Sequence, residues 1–417
     1  MLRSYLILAW KVLLRRKFFT AISLFGISFT LMILLVVVAF FDHVNGPHTP
    51  EKRIDQMLFI TTIRQQFQHG NGWMNTPASS SFVDRYVRPL TTPEKVGIIS
   101  TTENATAFAN NKSLKLDLRY TDASFWEIMN FDFLEGRPFT APEVKSAART
   151  AVINEHTARA YFGTHQGVVG REMEINLTRY RVSGVVRDVP AIRMFSYSEV
   201  WVPYTLSASD FRDTRFSGQF LTILLAPSRA AVPAMQTEFN QMTKRIKIPN
   251  PKDIEHVYVY ADPLVASFTR QLSNTPTSDN DNLGTFYLIC AVLGLFFMTL
   301  PALNLVNLNV TRILERSSEI GVRKAFGASG NTLVMQFLIE NIALALIGGL
   351  IGLALAATAL HLLNDSQVIA YSQFSLNWRV FAWGMLLTVF FGILSGVYPA
   401  WKMSRLNPIT ALRGQAA

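Results

Sequence analysis

The chain has 417 residues, of which 49% are hydrophobic, 12% aromatic and 16% charged, against roughly a quarter charged in an average soluble domain. A single cysteine, Cys290, excludes a disulfide framework and any multi-cysteine metal site. The formal charge of +10 invites a nucleic-acid reading, which the placement of that charge along the chain removes.

Residues 1–17 hold Arg3, Lys11, Arg15, Arg16 and Lys17 and no acid. Apolar residues cover most of the circumference, so the segment reads as a cytoplasmic amphipathic helix lying in the membrane interface beside Trp10. Residues 18–41 then run 24 positions without a charged side chain. That is enough to cross the bilayer, where about 20 apolar residues suffice, and longer than the h-region of a cleaved signal. In this first predicted helix Gly26, with Ser23 and Ser28, would let another helix approach closely.

Residues 42–282 contain 26 basic and 25 acidic residues, so the largest hydrophilic segment is nearly neutral. It reads as an α+β domain. The clearest part is a strand at Thr150–Asn154, ending on an Asn that N-caps a helix over 155–162 closed by Gly163. Alternating segments at 172–177, 180–188 and 199–203 read as strands. The histidines His43, His48, His69, His156, His165 and His256 are scattered without metal-ligand spacing. Trp73, Trp126 and Trp201 would serve either as core or as the lining of a ligand groove. Residues 271–282 read as a polar linker.

Three further charge-free runs follow at 283–311, 341–364 and 380–401. Predicted spans are therefore 283–311, 331–364 and 380–401, with a cytoplasmic segment at 312–330, an outer loop at 365–379 and a tail at 402–417. The excess positive charge lies in 1–17, 312–324 and the tail. By the positive-inside rule, both termini and the 312–330 segment face the cytoplasm, and 42–282 lies outside. The expected fold class is a membrane protein of four transmembrane α-helices with a large α+β extracytoplasmic domain between helices 1 and 2. The surface large enough for nucleic acid is near-neutral and translocated, so none is expected as a partner.

Pro301 in the second predicted span reads equally as a hinge or as a tolerated membrane proline. Glu340 is the only acid in any span. It would pair with a loop arginine such as Arg316 or Arg323, or else touch a substrate. Gly348, Gly349 and Gly352 would serve helix packing. The segment 312–330 is short, basic and amphipathic, with Glu319 and Arg323 at helix-supporting i,i+4 spacing. On residue chemistry alone it fits a groove on a cytoplasmic partner or an anionic lipid surface equally well.

The run Glu319-Ile-Gly-Val-Arg-Lys-Ala-Phe-Gly-Ala-Ser329, then Gln336-Phe-Leu-Ile-Glu340, the glycines Gly348, Gly349 and Gly352, Gly396-Val-Tyr-Pro-Ala400 and Asn407-Pro-Ile-Thr-Ala-Leu-Arg413 resemble the FtsX-like permease domain of MacB-type ABC transporters. Leu13-Leu-Arg-Arg-Lys-Phe-Phe19 and the pattern from Val152 to Pro190 resemble that family's N-terminal helix and periplasmic core domain. Residues 45–110 and 205–270 match least well, and this member's own specificity is expected there.

The resemblance implies an inner (plasma) membrane permease working as a homo- or heterodimer, joined where the cell has an outer membrane by a periplasmic adaptor and an outer-membrane channel. It implies that a cytoplasmic ABC ATPase docks on Arg316, Glu319, Ile320, Gly321, Val322, Arg323, Lys324, Phe326 and Gly327. The sequence contains no Gly-Lys pair and so no Walker A loop. No catalytic residue, bound cofactor or metal is expected in this chain, and ATP and Mg belong to the partner. The expected activity is mechanotransmission driving export of a peptide, antibiotic or similar molecule. Lipoprotein release, cell-wall hydrolase regulation and an ATP-independent membrane sensor or scaffold are the alternatives.

Overall fold

A computed structural model describes residues 17–68, 72–109, 112–207, 216–248, 250–273, 281–315, 322, 326 and 330–404. Helix α1 (Lys17–Asn45) leads to strands β1 (Met57–Ile60), β2 (Ile63–Phe67), β3 (Trp73–Thr76), β4 (Lys95–Ser100), β5 (Glu103–Ala109) and β6 (Lys112–Thr121). Next come α2 (Ala123–Ile128), β7 (Phe133–Gly136), α3 (Ala141–Lys145), β8 (Thr150–Asn154), α4 (Glu155–Phe162), β9 (Glu172–Ile175) and β10 (Thr178–Val186). The remainder is β11 (Val200–Pro203), β12 (Phe220–Leu225), α5 (Val232–Thr243), β13 (Ile254–Val259), α6 (Leu264–Ser273), α7 (Leu283–Glu315), α8 (Gly330–Ser366) and α9 (Trp378–Ser404). Two units form: the long helices in one, and Val44–Phe286 with Ile369–Gln373 in the other.

In the second unit, β1, β12, β4, β6, β11, β8, β10, β9 and β5 follow one another across a ten-stranded sheet, with β7 beside β10. Strand β12, Phe-Leu-Thr-Ile-Leu-Leu, is buried at every position between β1 and β4, as a continuous apolar run requires. Strand β5 pairs with β6 and also meets β9 at Ala107 and Ile175, so the far part of the sheet closes into a ring. Inside that ring Ala107, Leu118, Ile153, Ile175, Val182 and Val200 form one buried cluster. On the opposite face Trp201 and Val152 pack with Phe125 and Trp126 of α2. Alternate residues of a strand feed opposite faces, so one set of strands supplies both cores.

Local chemistry sets the boundaries. Asn154 Oδ1 accepts from Thr157 N at 2.9 Å, and α4 ends on Gly163 at φ 78°, a left-handed conformation that glycine adopts without penalty. The strand expected over 172–177 stops at Ile175, because Asn176 and Leu177 take positive φ and turn the chain directly into β10. The linker expected from 271 is helical over its first three residues. Helix α6 runs through Ser273, with Leu264 buried and Phe268 packed on the same core as Trp126. A second sheet, β13-β2-β3, is antiparallel and three-stranded.

In the helical unit, α1, α8 and α9 contain apolar windows long enough to cross a membrane, while the shorter apolar stretch of α7 is Leu283–Phe297. Three candidate spans are thus found among the described residues where four were expected. Helix α7 is continuous through its 33 residues. Helix α8 has 37 residues, about 56 Å at 1.5 Å per residue, against a hydrocarbon layer of about 30 Å. Gly348, Gly349 and Gly352 of α8 face the other helices. A Cβ on Gly348 would stand 2.8 Å from Ile27 Cγ2, and one on Gly352 would stand 2.8 Å from the Ser28 carbonyl oxygen. Leu31 of α1 is 1% exposed, and its Cδ1 lies 2.8 Å from where a Cβ of Gly384 in α9 would be.

Candidate functional site

A cleft with two lobes opens in the outer unit. The smaller lobe, about 290 Å³, is walled by β2 and by the chain from β13 into α6; the larger, about 510 Å³, reaches Thr101, Thr102, Arg119 and the 191–197 loop. Thr61, Thr62, Asn75 and Gln271 belong to both, so the lobes adjoin. Most of this lining comes from the 45–110 and 205–270 segments.

The cleft's arginines differ in what compensates them. Arg270 lies on the Tyr260 ring at 3.7 Å and donates to Asp262 Oδ2 at 2.6 Å and Oδ1 at 3.2 Å. That two-pronged pair neutralises it. Arg64 stacks over Trp73 at 4.2 Å, and burial lowers its pKa. Arg119 is buried near the C-terminal end of β6, where it donates through Nε to the Ser100 carbonyl at 2.7 Å and through Nη1 to the carbonyls of Met194 at 2.6 Å and Tyr197 at 3.2 Å.

Behind the larger lobe runs a chain of hydrogen bonds. Tyr197 Oη donates to Asp117 Oδ2 at 2.8 Å, Asp117 N donates to Glu199 Oε2 at 2.9 Å, and Tyr371 Oη donates to Glu199 Oε1 at 2.8 Å. Burial, and then the neighbouring carboxylate acceptors, push both tyrosine hydroxyls well above their usual pKa. Ala191 N donates to the Ala370 carbonyl at 3.0 Å. Residues 369–373, which belong in sequence to the connection between α8 and α9, are thereby held in the outer unit.

A second buried network joins the chain just beyond α1 to the same loop. Arg193 Nη1 donates to Glu51 Oε2 at 2.7 Å, and Ser196 Oγ donates to Glu51 Oε1 at 2.7 Å. The side chains of Arg193 and Glu51 are 0% and 3% exposed. Burial raises the Glu51 pKa, and Arg193 opposes the rise.

Of the expected coupling residues, Val322 and Phe326 are described. Both are exposed, and Phe326 N donates to the Val322 carbonyl at 3.0 Å, one helical turn apart. Arg316, Glu319, Ile320, Gly321, Arg323, Lys324 and Gly327 lie outside the described residues, as does the 1–16 stretch. Pro301 sits within α7. Glu340 is buried in α8 beside buried Asn341, and Gly26 is half-buried in α1. Trp126 and Trp201 are core residues, whereas Trp73 is 39% exposed. No cluster of three His, Cys, Asp or Glu able to hold a metal occurs among the described residues. Reading the sequence missed the cleft, Arg119 and the Glu51–Arg193 pair. An isolated arginine in a strand gives no sign of burial, and Glu51 and Arg193 meet only through the fold.

Long apolar helices and a large α+β unit in one chain are the parts of a membrane protein with an extramembrane domain. A model described as a MacB-like periplasmic core domain matches residues 20–242, and one described as an FtsX-like permease C-terminal region matches residues 291–408. The chain belongs to this MacB-like family of ABC transporter permeases. It is similar to the ABC transporter permease YknZ of Bacillus subtilis (strain 168), 24% identical over 341 residues covering 81% of each chain. It is also similar to the macrolide export ATP-binding/permease protein MacB of Burkholderia cenocepacia (strain HI2424), 24% identical over 423 residues. That match takes in 97% of this chain and 57% of the relative, so the chain spans little more than half of MacB and corresponds to its permease part. The crystal structure of the periplasmic region of MacB from Actinobacillus actinomycetemcomitans overlaps 53% of this chain and 94% of its own at 14% identity and a TM-score of 0.36.

Proposed function

We propose that the chain is the mechanotransmitting permease of a MacB-type ABC transporter. In this reading α1, α7, α8 and α9 are four transmembrane helices with both termini cytoplasmic, and two protomers form the working unit. An ABC ATPase outside these 417 residues binds ATP and Mg and docks on the 312–328 segment. Closure of the ATPase pair rocks that segment, and α7 carries the movement to the outer unit, which acts on a peptide, antibiotic or similar molecule already outside. An adaptor and an outer-membrane channel complete the route where the cell has an outer membrane.

The observation that carries this reading is the Val322–Phe326 turn. It presents two apolar side chains to solvent, with Phe326 88% exposed, in a segment whose sequence also holds Arg316, Arg323 and Lys324. An exposed apolar pair in a basic segment suits a groove on a protein partner. The exposed apolar side chains Leu288, Val292, Leu295 and Phe296 of α7 supply surface for lipid and for a second protomer.

The test is affinity capture of the chain from its native membrane, repeated with Arg323→Glu/Lys324→Glu, and an ATPase assay on what co-purifies. The expected result is an ATP-hydrolysing subunit that the double variant loses. If no ATPase accompanies the wild-type chain in mild detergent, the permease mechanism fails and a passive sensor or scaffold takes its place.

A further inference from the structure

We propose that the larger lobe of the outer-unit cleft is a binding site for a small molecule bearing a carboxylate, with the Arg119 guanidinium as its counter-ion. The observation is a buried cation without an ion-pair partner among the described residues. Arg119 is 3% exposed, yet no carboxylate comes within ion-pair distance of it among the described residues. Its three hydrogen bonds use Nε and Nη1 and go to backbone carbonyls. The N–H groups of Nη2 make no hydrogen bond to any described residue, although Arg119 lines the cavity. An uncompensated buried charge is costly, and burial pulls the Arg119 pKa down to about 10. The acid nearest in the sequence and in the field, Asp117, already accepts from Tyr197 Oη at 2.8 Å.

The remaining lining suits the body of such a ligand. Thr61, Thr62 and Thr102 offer hydroxyls, while Pro77, Met194 and Leu221 offer apolar surface, and about 510 Å³ falls within the range of roughly 300–1,000 Å³ usual for small-molecule sites. One guanidinium, partly offset by Asp117, balances a monoanion better than a dianionic phosphate, and its planar fork matches a carboxylate. Tyr197, which accepts from Arg119 through its carbonyl, also leads through Asp117 and Glu199 to Tyr371 in the segment between α8 and α9. An anion on Arg119 therefore reaches that segment through a continuous path of polar contacts. The inference does not need an ATPase partner, so its failure and the failure of the permease mechanism are separable.

The test uses the full chain in lipid nanodiscs without nucleotide, with dansyl-glycine as a fluorescent carboxylate and dansyl-glycinamide as its neutral counterpart. Wild type is expected to bind dansyl-glycine saturably and the amide about tenfold more weakly or worse, the scale of a charge-assisted hydrogen bond. Arg119→Met should abolish that preference, and Arg119→Lys should retain part of it. Thr102→Trp, on the exposed rim, should weaken binding of both probes with an unchanged thermal midpoint. It keeps the test decisive if Arg119→Met does not fold. Sodium acetate should displace the probe better than inorganic phosphate at equal ionic strength. The proposal is overturned by absence of saturable binding, by equal affinity for the two probes, by a folded Arg119→Met that keeps the preference, by a folded Thr102→Trp that binds like wild type, or by phosphate displacing better than acetate.

Discussion

Removing Arg193 isolates the cost of a buried carboxylate. In Arg193→Met, Glu51 keeps the Ser196 hydroxyl at 2.7 Å but loses its cation, with its side chain only 3% exposed. Breaking a buried pair from one side costs about 3–5 kcal/mol. At roughly 2–4 °C per kcal/mol for a domain of this size, the outer-unit transition should fall by about 6–20 °C near pH 8. The pH dependence then distinguishes a charge effect from lost packing. Burial already raises the Glu51 pKa from its ordinary value of 4.5, against the pull of Arg193. Without Arg193 it rises further. The folded state then holds a proton that the unfolded state releases, so stability falls as pH climbs from 4.5 through the folded pKa and is regained on acidification. Each pH unit of that window is worth about 1.4 kcal/mol. The deficit of Arg193→Met should therefore shrink toward pH 5, whereas that of Glu51→Gln, which strands a permanently charged arginine, should not. The double variant should recover most of the loss. Thermal melts of the full chain in detergent, followed by near-UV circular dichroism at several pH values, read all three. A loss below about 1 kcal/mol at pH 8, or a deficit that does not change with pH, would refute the reasoning.

Gly352→Leu should lower the thermal midpoint of the detergent-solubilised chain by several degrees, because a Cβ there meets the Ser28 carbonyl oxygen at 2.8 Å; Gly294→Leu, whose Cβ meets nothing within 4 Å, is the comparison. Asn154→Ala should cost about 1 kcal/mol through the lost bond from Thr157 N, read in the same melts. The Glu143 carboxyl is held down at about 2, first by its hydrogen bonds from Arg137 and then by Thr140. Its contribution is present above 4.5 and disappears only as pH falls through about 2, so Glu143→Gln should differ from wild type at pH 5 and converge on it near pH 2.

The helix and strands of 150–204 are legible in the sequence because their signals are local: an Asn cap, a C′ glycine and period-two alternation. The ring closure through Ala107 and Ile175 is not, since one bridge between distant strands leaves no periodic trace. The small sheet is hidden for the same reason, with β2 and β13 almost 200 positions apart. Charge counting along the chain divides it into membrane and outer segments but assigns 365–379 simply as a loop. Tyr371 meets the outer unit through its hydroxyl on Glu199 and its ring beside His156 and Tyr197, contacts no composition reveals. The cleft was foreshadowed only indirectly, as the two stretches least like the family.

The closed part of the sheet has one more consequence. Strand edges are templates on which neighbouring chains can add. Here β5 and β9 spend theirs on each other, and β1 turns its outer edge to Asp262 through paired bonds of 2.8 and 3.1 Å with Phe59. The outermost strands of the small sheet, β3 and β13, are four and six residues long. In the dimer proposed above, two copies of this unit would therefore offer each other little backbone to zip together. They would be free to approach and separate through side chains alone, without fusing into a shared sheet.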